Sequence, residues 1–143
     1  ADTEVFAELC RDLLDAPDEL PGWHGGEIEA SAGLLIAPEL CHMERAKKTL
    51  PQHIKWMPEK FVKDSGSGFE IKYEHYPVRL PLEQEEYSDC GIMGNPLLAS
   101  REKGEKIYQR MIDLFARFLE DLKGIQVNIK ERDFPGRYYY SGQ

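Results

Sequence analysis

The chain is short of basic charge: 18 lysines and arginines stand against 26 aspartates and glutamates, for a net charge of −8. Phosphate neutralisation needs clustered basic residues, so this shortage argues against a nucleic-acid-binding surface. Long apolar runs are missing too. No stretch nears the roughly 20 consecutive apolar residues that span a bilayer. Ala1-Asp2-Thr3-Glu4 is acidic and lacks the basic-then-apolar order of a signal peptide. Cysteine is scarce and odd in number. Cys10, Cys41 and Cys90 lie far apart, which speaks for reduced thiols in the cytoplasm rather than a disulfide framework. There is no internal repeat, no low-complexity tract and no initiator methionine; a start at Ala1 fits methionine removal, a processed end or a fragment. What is present, 143 residues with 41% apolar and 31% charged side chains, suits one domain over residues 1–143. Its core must be assembled from separated amphipathic pieces.

Apolar spacing places those pieces. Val5, Phe6, Leu9 and Leu13 share one face of a helix over residues 3–15, and Pro17 and Pro21 make the following loop. A second helix starts near Gly26 or Glu27, with Ile28, Ala32, Leu35 and Ile36 inward, and Pro38 bounds it. Leu40, Met43 and Ala46 predict a third over residues 39–50. The Gly/Ser run at 64–68 reads as a flexible surface connection. Residues 69–74 alternate as a strand, and 76–80 continue it at an edge, where Pro77 is tolerated. The strongest signal is the stripe Ile107, Met111, Leu114, Phe115, Phe118, Leu119 and Leu122, a long helix over about residues 101–123. Ser100 can cap it, and Gly124 stands where a left-handed residue would end it. Ile125, Val127 and Ile129 alternate like a half-buried strand, and the aromatic end at 137–141 suits docking on its own domain or on a partner.

Candidate chemistry concentrates in Trp23-His24-Gly25-Gly26-Glu27-Ile28-Glu29, at a loop-to-helix junction. The glycines permit unusual backbone angles and close approach of a ligand. An imidazole titrates near neutrality and can act as general base, general acid or metal ligand. A carboxylate close by can bind a cation or fix the imidazole tautomer. Two residues apart on a helical turn, Glu27 and Glu29 diverge by about 200°. The same residues also fit a plainer role, with both acids favouring a helix N-terminus and His24 a surface loop residue. His42, His53 and His75 lack neighbours of ligand type and read as ordinary histidines. Cys41-His42 reads as a buried thiol beside a surface imidazole.

The run His24-Gly25-Gly26-Glu27-Ile28-Glu29-Ala30-Ser31, with Leu34-Leu35-Ile36 and Pro38-Glu39-Leu40 after it, resembles a creatininase-family segment, His-Ala-Gly-Glu-x-Glu-Thr-Ser. Gly91-Ile92-Met93-Gly94-Asn95-Pro96-Leu97-Leu98-Ala99-Ser100 resembles the family's later Gly-x-x-Gly-Asp-Pro-x-x-Ala-Ser/Thr, and Glu102-Lys103-Gly104 follows as the family's Glu-Lys-Gly does. The resemblance covers most of residues 3–124. It implies an α/β fold of three layers, α/β/α, of which this chain is the helix-rich C-terminal portion, and it implies homo-oligomers. It also implies hydrolysis of a non-peptide amide, cyclic amide or formamide, in a small-molecule substrate, at a centre of zinc, manganese or iron. His24 would then be the catalytic proton-transfer residue. Glu29 would orient that imidazole or the metal-bound water, and Glu27 would face a metal.

The sequence departs from the family pattern at Ala30, Asn95 and Pro21, which stand where Thr, Asp and, in some members, an assisting Asp are found. The family's Glu-x-His and Asn-Gly-His-Gly-Gly segments, which supply most metal ligands, are absent from these residues. The expectation is therefore a chain inactive alone, completed by an N-terminal half or a complementary chain. The alternative is a non-catalytic scaffold or assembly subunit with the same fold.

Overall fold

A computed structural model describes residues 3–126. The chain divides into two compact units, residues 1–111 and 112–143. The first unit begins with α1 (Thr3–Leu9), followed by a 3-10 turn, Arg11–Leu13. The helix predicted to residue 15 thus stops early. Its buried positions are Cys10 and Leu14, and Val5 faces solvent. Cys10, Leu14, Ile28 and Ile107 form one apolar cluster, with Leu9 and Met111 at its margin. Arg110 secures it, donating to the Leu9 carbonyl at 2.9 Å and forking onto the Asp12 carboxylate. That guanidinium holds the Asp12 carboxyl below its ordinary range.

Helix α2 (Glu27–Ile36) starts where the spacing predicts, and α3 (Arg101–Gly124) matches its predicted span closely. Ser100 Oγ accepts the Lys103 N–H at 3.1 Å, so the expected cap is formed. Gly124 ends α3 without turning left-handed. The helix predicted over 39–50 does not form. In its place stand two 3-10 turns, Pro38–Leu40 and Met43–Arg45, separated by extended backbone at Cys41. The cause lies 45 residues away, where Thr49 and Gly94 exchange both backbone hydrogen bonds at 2.9 and 2.7 Å. That bridge takes the chain out of helical geometry before it reaches Leu50.

Strands β1 (Phe61–Val62), β2 (Glu70–Tyr73) and β3 (Tyr76–Arg79) form an antiparallel sheet in sequence order. β2 and β3 join through Glu74 and His75, with Glu74 left-handed at φ 57°. Pro77 sits on the edge strand, as expected. Phe61 and Tyr73 face each other across β1 and β2 with ring centroids 4.9 Å apart. Beneath the sheet lies a second cluster, Ile54, Met57, Ile71, Tyr87 and Met93, with Trp23, Leu80 and Leu82 against it.

The Gly/Ser run at 64–68 is not the surface connection predicted. Ser65 and Ser67 are buried, and a Cβ on Gly66 would lie 2.4 Å from the Trp23 indole. Glycine there lets the backbone lie against the ring. The helices and the small sheet make an α/β arrangement. A parallel sheet of a three-layer fold is not among the described residues. Also among them, no helix is long and apolar enough to cross a membrane. Val127 and Ile129 of the strand predicted from 125, and the aromatic end at 137–141, lie outside the described residues.

Candidate active site

Residues 23–29 run between the two apolar clusters. Trp23 packs on the one beneath the sheet, and Ile28 is buried in the other. Backbone hydrogen bonds shape the junction: Gly26 N–H donates to the Trp23 carbonyl at 2.7 Å, and Ile28 N–H to Pro21 at 2.9 Å. A Cβ at Gly26 would meet three carbonyl oxygens within 2.9 Å. Gly25 adopts φ +65°, which a side chain would strain.

The second sequence motif closes on the first. Met93 N–H donates to the His24 carbonyl at 2.7 Å, and Ser100 N–H to Ser31 Oγ at 3.2 Å. Gly94, at φ +132°, passes so near that a Cβ would stand 2.9 Å from the Gly26 Cα. Gly104 does the same further along, where a Cβ would lie 2.3 Å from the Ser31 carbonyl oxygen. Two motifs about 60 residues apart in the sequence therefore form a single clasp.

Within the clasp the two glutamates diverge as helix geometry requires. Glu27 is 1% exposed. Its carboxylate accepts the Asp15 N–H at 3.0 Å, the Ala16 N–H at 3.3 Å and the Lys103 ammonium. Glu29 is exposed, and its Oε2 accepts the Gly25 N–H at 2.8 Å. The His24 ring is exposed, edge-on to Trp23 at 6.2 Å between centroids. No hydrogen bond to that ring is formed among the described residues, so His24 and Glu29 are neighbours in the clasp rather than a bonded pair. Beside them a cavity of about 420 Å³ is lined by Glu29, Gly33, Cys41, Met43, Arg45 and Ile92, among others.

The other candidates lie elsewhere. His42 sits 3.2 Å from a Glu44 oxygen, His53 Nε2 is 3.0 Å from the Met57 carbonyl, and His75 is in the hairpin turn. Cys41 is half-buried with its thiol on the Ala37 carbonyl, and all three cysteines are free. Asp18 and Glu19, the acids nearest Pro21, are engaged by other groups. Asp18 pairs with Arg11, and Glu19 takes the Lys48 ammonium and the Asn95 amide, which together hold its carboxyl low. The Glu19 contact also explains Asn95, since an Asp there would set two carboxylates against each other. Asn95 Oδ1 is buried without a donor among the described residues.

Among the described residues, no three His, Cys, Asp or Glu side chains gather where an ion could sit. Glu27 is engaged by Lys103 and two amides. The side chains of the described residues therefore do not by themselves fit a metal pair. Sequence reasoning placed Lys103 in the second motif but missed its pairing with Glu27. The available signal was a lysine in the first turn of a helix, where the macrodipole disfavours a cation unless acids compensate.

An exposed imidazole and a carboxylate on a glycine-opened junction are groups that can accept and give a proton. Residues 3–119 match the creatininase family, described as creatinine amidohydrolase, and the chain belongs to that family. It is also 28% identical over 113 residues to 3-dehydro-scyllo-inosose hydrolase of Thermotoga maritima, an alignment covering 74% of this chain and 34% of that protein. The chain thus spans about a third of the length of that relative. No solved structure gives a significant match.

Proposed function

We propose that this chain carries the proton-handling wall of an amidohydrolase that cleaves a non-peptide C–N bond in a cyclic amide or formamide. The observation behind this reading is the clasp. Two separated family motifs hold His24, whose ring makes no hydrogen bond among the described residues, and Glu29, which lines a cavity of about 420 Å³. In this reading His24 gives a proton to the departing nitrogen, and Glu29 orients the imidazole once substrate is bound. Zinc, manganese or iron would be held mainly by residues outside this chain, supplied by an N-terminal portion or a complementary chain within a homo-oligomer. Glu27, held by Lys103, serves as an anchor in this geometry rather than as a metal ligand.

The test compares the 143-residue chain with an assembly that includes the missing portion, using creatinine and simple formamides as substrates. The chain alone is expected to bind no stoichiometric metal and to hydrolyse neither. In the complete assembly, His24→Ala should lower turnover by about 10²–10⁴-fold. Stoichiometric metal with hydrolysis by the chain alone would contradict the division of ligands, and unchanged turnover in His24→Ala would remove its role. The scaffold reading draws support from the exposed apolar stripe on α3. It gains if the complete assembly binds no metal either.

A further inference from the structure

We propose that Lys103 is a positioning residue for the candidate site: clamped on Glu27, it fixes the rotation of the first turn of α2 that delivers Glu29 to the Gly25 amide. The proposal rests on reading His24 and Glu29 as the site. Lys103 is on the first turn of α3, where the helix dipole opposes its charge. Its side chain is nonetheless 17% exposed and turned inward. It donates to the Leu98 carbonyl at 2.7 Å, to Asp15 Oδ2 at 2.6 Å and to Glu27 Oε1. Burial alone would pull the ammonium's pKa down. The Asp15 and Glu27 carboxylates outweigh that and raise it, so the group stays charged.

Through Glu27, which also accepts the amides of Asp15 and Ala16, one cation joins four segments: residues 15–16, the start of α2, the turn at Leu98 and α3. The consequence for the site follows from helix geometry. Glu27 and Glu29 stand about 200° apart around α2. Holding the first inward holds the second outward, on the side of Gly25. Without its cation, the Glu27 carboxylate is a buried charge seeking water, and the first turn of α2 must rotate or open to reach it. Gly25 would then lose its acceptor.

The reporter is the Gly25 amide, followed by NMR in the full chain. In the unaltered protein its proton, bonded to Glu29, should exchange slowly. In Lys103→Met, that protection should fall about tenfold, while the Leu80 and Leu82 amides of the sheet region stay within about twofold. Lys103→Arg, which keeps the charge, should recover most of the protection. If Lys103→Met does not fold, Lys103→Gln, whose neutral amide can still donate to Glu27, is used instead, with a smaller fall in Gly25 protection expected. An unchanged Gly25 signal overturns the proposal. So does a loss of protection shared equally by Leu80 and Leu82, because that pattern means general destabilisation. The readout needs no turnover, so it is independent of the His24→Ala result.

Discussion

The clasp around residues 24–31 and the outer half of α3 are built from different material. In the clasp, polar groups are answered from within the chain: the Glu27 carboxylate by Lys103 and two amides, Ser31 by Ser100, the His24 carbonyl by Met93. Beyond Met111 the apolar face of α3 continues, but Leu114, Phe115, Phe118 and Leu122 are 41% to 60% exposed. Phe115 and Phe118 stack only on each other among the described residues, at 6.1 Å. Hydrogen bonding within the chain can satisfy the polar groups of a few residues without an outside partner. A wide apolar stripe cannot be completed locally, because its stabilisation depends on area removed from water by something else.

That contrast can be broken most forcefully at Gly104. Its missing Cβ is what lets α3 lie against the Ser31 carbonyl, which is backbone and cannot swing aside. Gly104→Ala is expected to destabilise the protein by about 3 kcal/mol in urea denaturation, the upper range for overpacking. A loss below about 1 kcal/mol would mean that the clasp is looser than its geometry.

A second test concerns a buried charge without an acid partner. Lys63 is 5% exposed, hydrogen-bonds Ser65, and lies 4.6 Å over the Tyr87 ring. Burial lowers its pKa from 10.5 to about 8, with Asp64 and Glu70 pulling the other way. Below pH 8 both folded and unfolded chains carry the proton, and the folded state bears the full cost of the buried ammonium. Between pH 8 and 10.5 the unfolded chain binds more protons than the folded one, so stability rises with pH. Relative to Lys63→Met, the unaltered protein should gain on the order of 2–3 kcal/mol across that window. The buried Cys10 thiol, raised by desolvation, pushes stability down as pH climbs, but it does so in both proteins and cancels in the difference. A flat difference curve would show Lys63 to be solvated, unlike the ammonium of Lys103.

These contrasts also mark what could be seen in the sequence. The span of α3, the start of α2 and the extended segments at 69–74 and 76–80 were legible, because each is governed by local periodicity, whereas the reversal between the two segments at Glu74 was not. The failed helix over 39–50 was not, since Leu40, Met43 and Ala46 keep helical spacing while Thr49 answers to Gly94. Nor was the packing of 64–68, where a Gly/Ser composition that suits a loose loop also suits contact with Trp23. At the candidate site, the opposite faces of Glu27 and Glu29 follow from 100° per residue. The partner that claims Glu27 sits 76 positions away and leaves no periodic trace.

Smaller effects sharpen the other side of the comparison. A Cβ at Gly124 would meet nothing within 4 Å. Gly124→Ala should therefore stabilise by about 0.5–1 kcal/mol, through helix propensity and a less flexible unfolded chain. The same substitution at Gly104 and Gly124 thus has opposite signs, set wholly by what lies around the backbone.

The smallest expected change is at Phe118. A buried phenylalanine truncated to a small residue costs about 3–5 kcal/mol, from lost transfer energy and the cavity left behind. Phe118 is 53% exposed, so neither contribution should be large. Phe118→Ser should change the unfolding free energy by no more than about 0.5 kcal/mol at dilute concentration. It should also make the protein less prone to bind a hydrophobic dye. A cost near that of a buried ring would mean that this face is covered in solution. Concentration then separates the causes: a cost that grows with protein concentration identifies a second molecule on the stripe, and a constant one places the cover within the same chain.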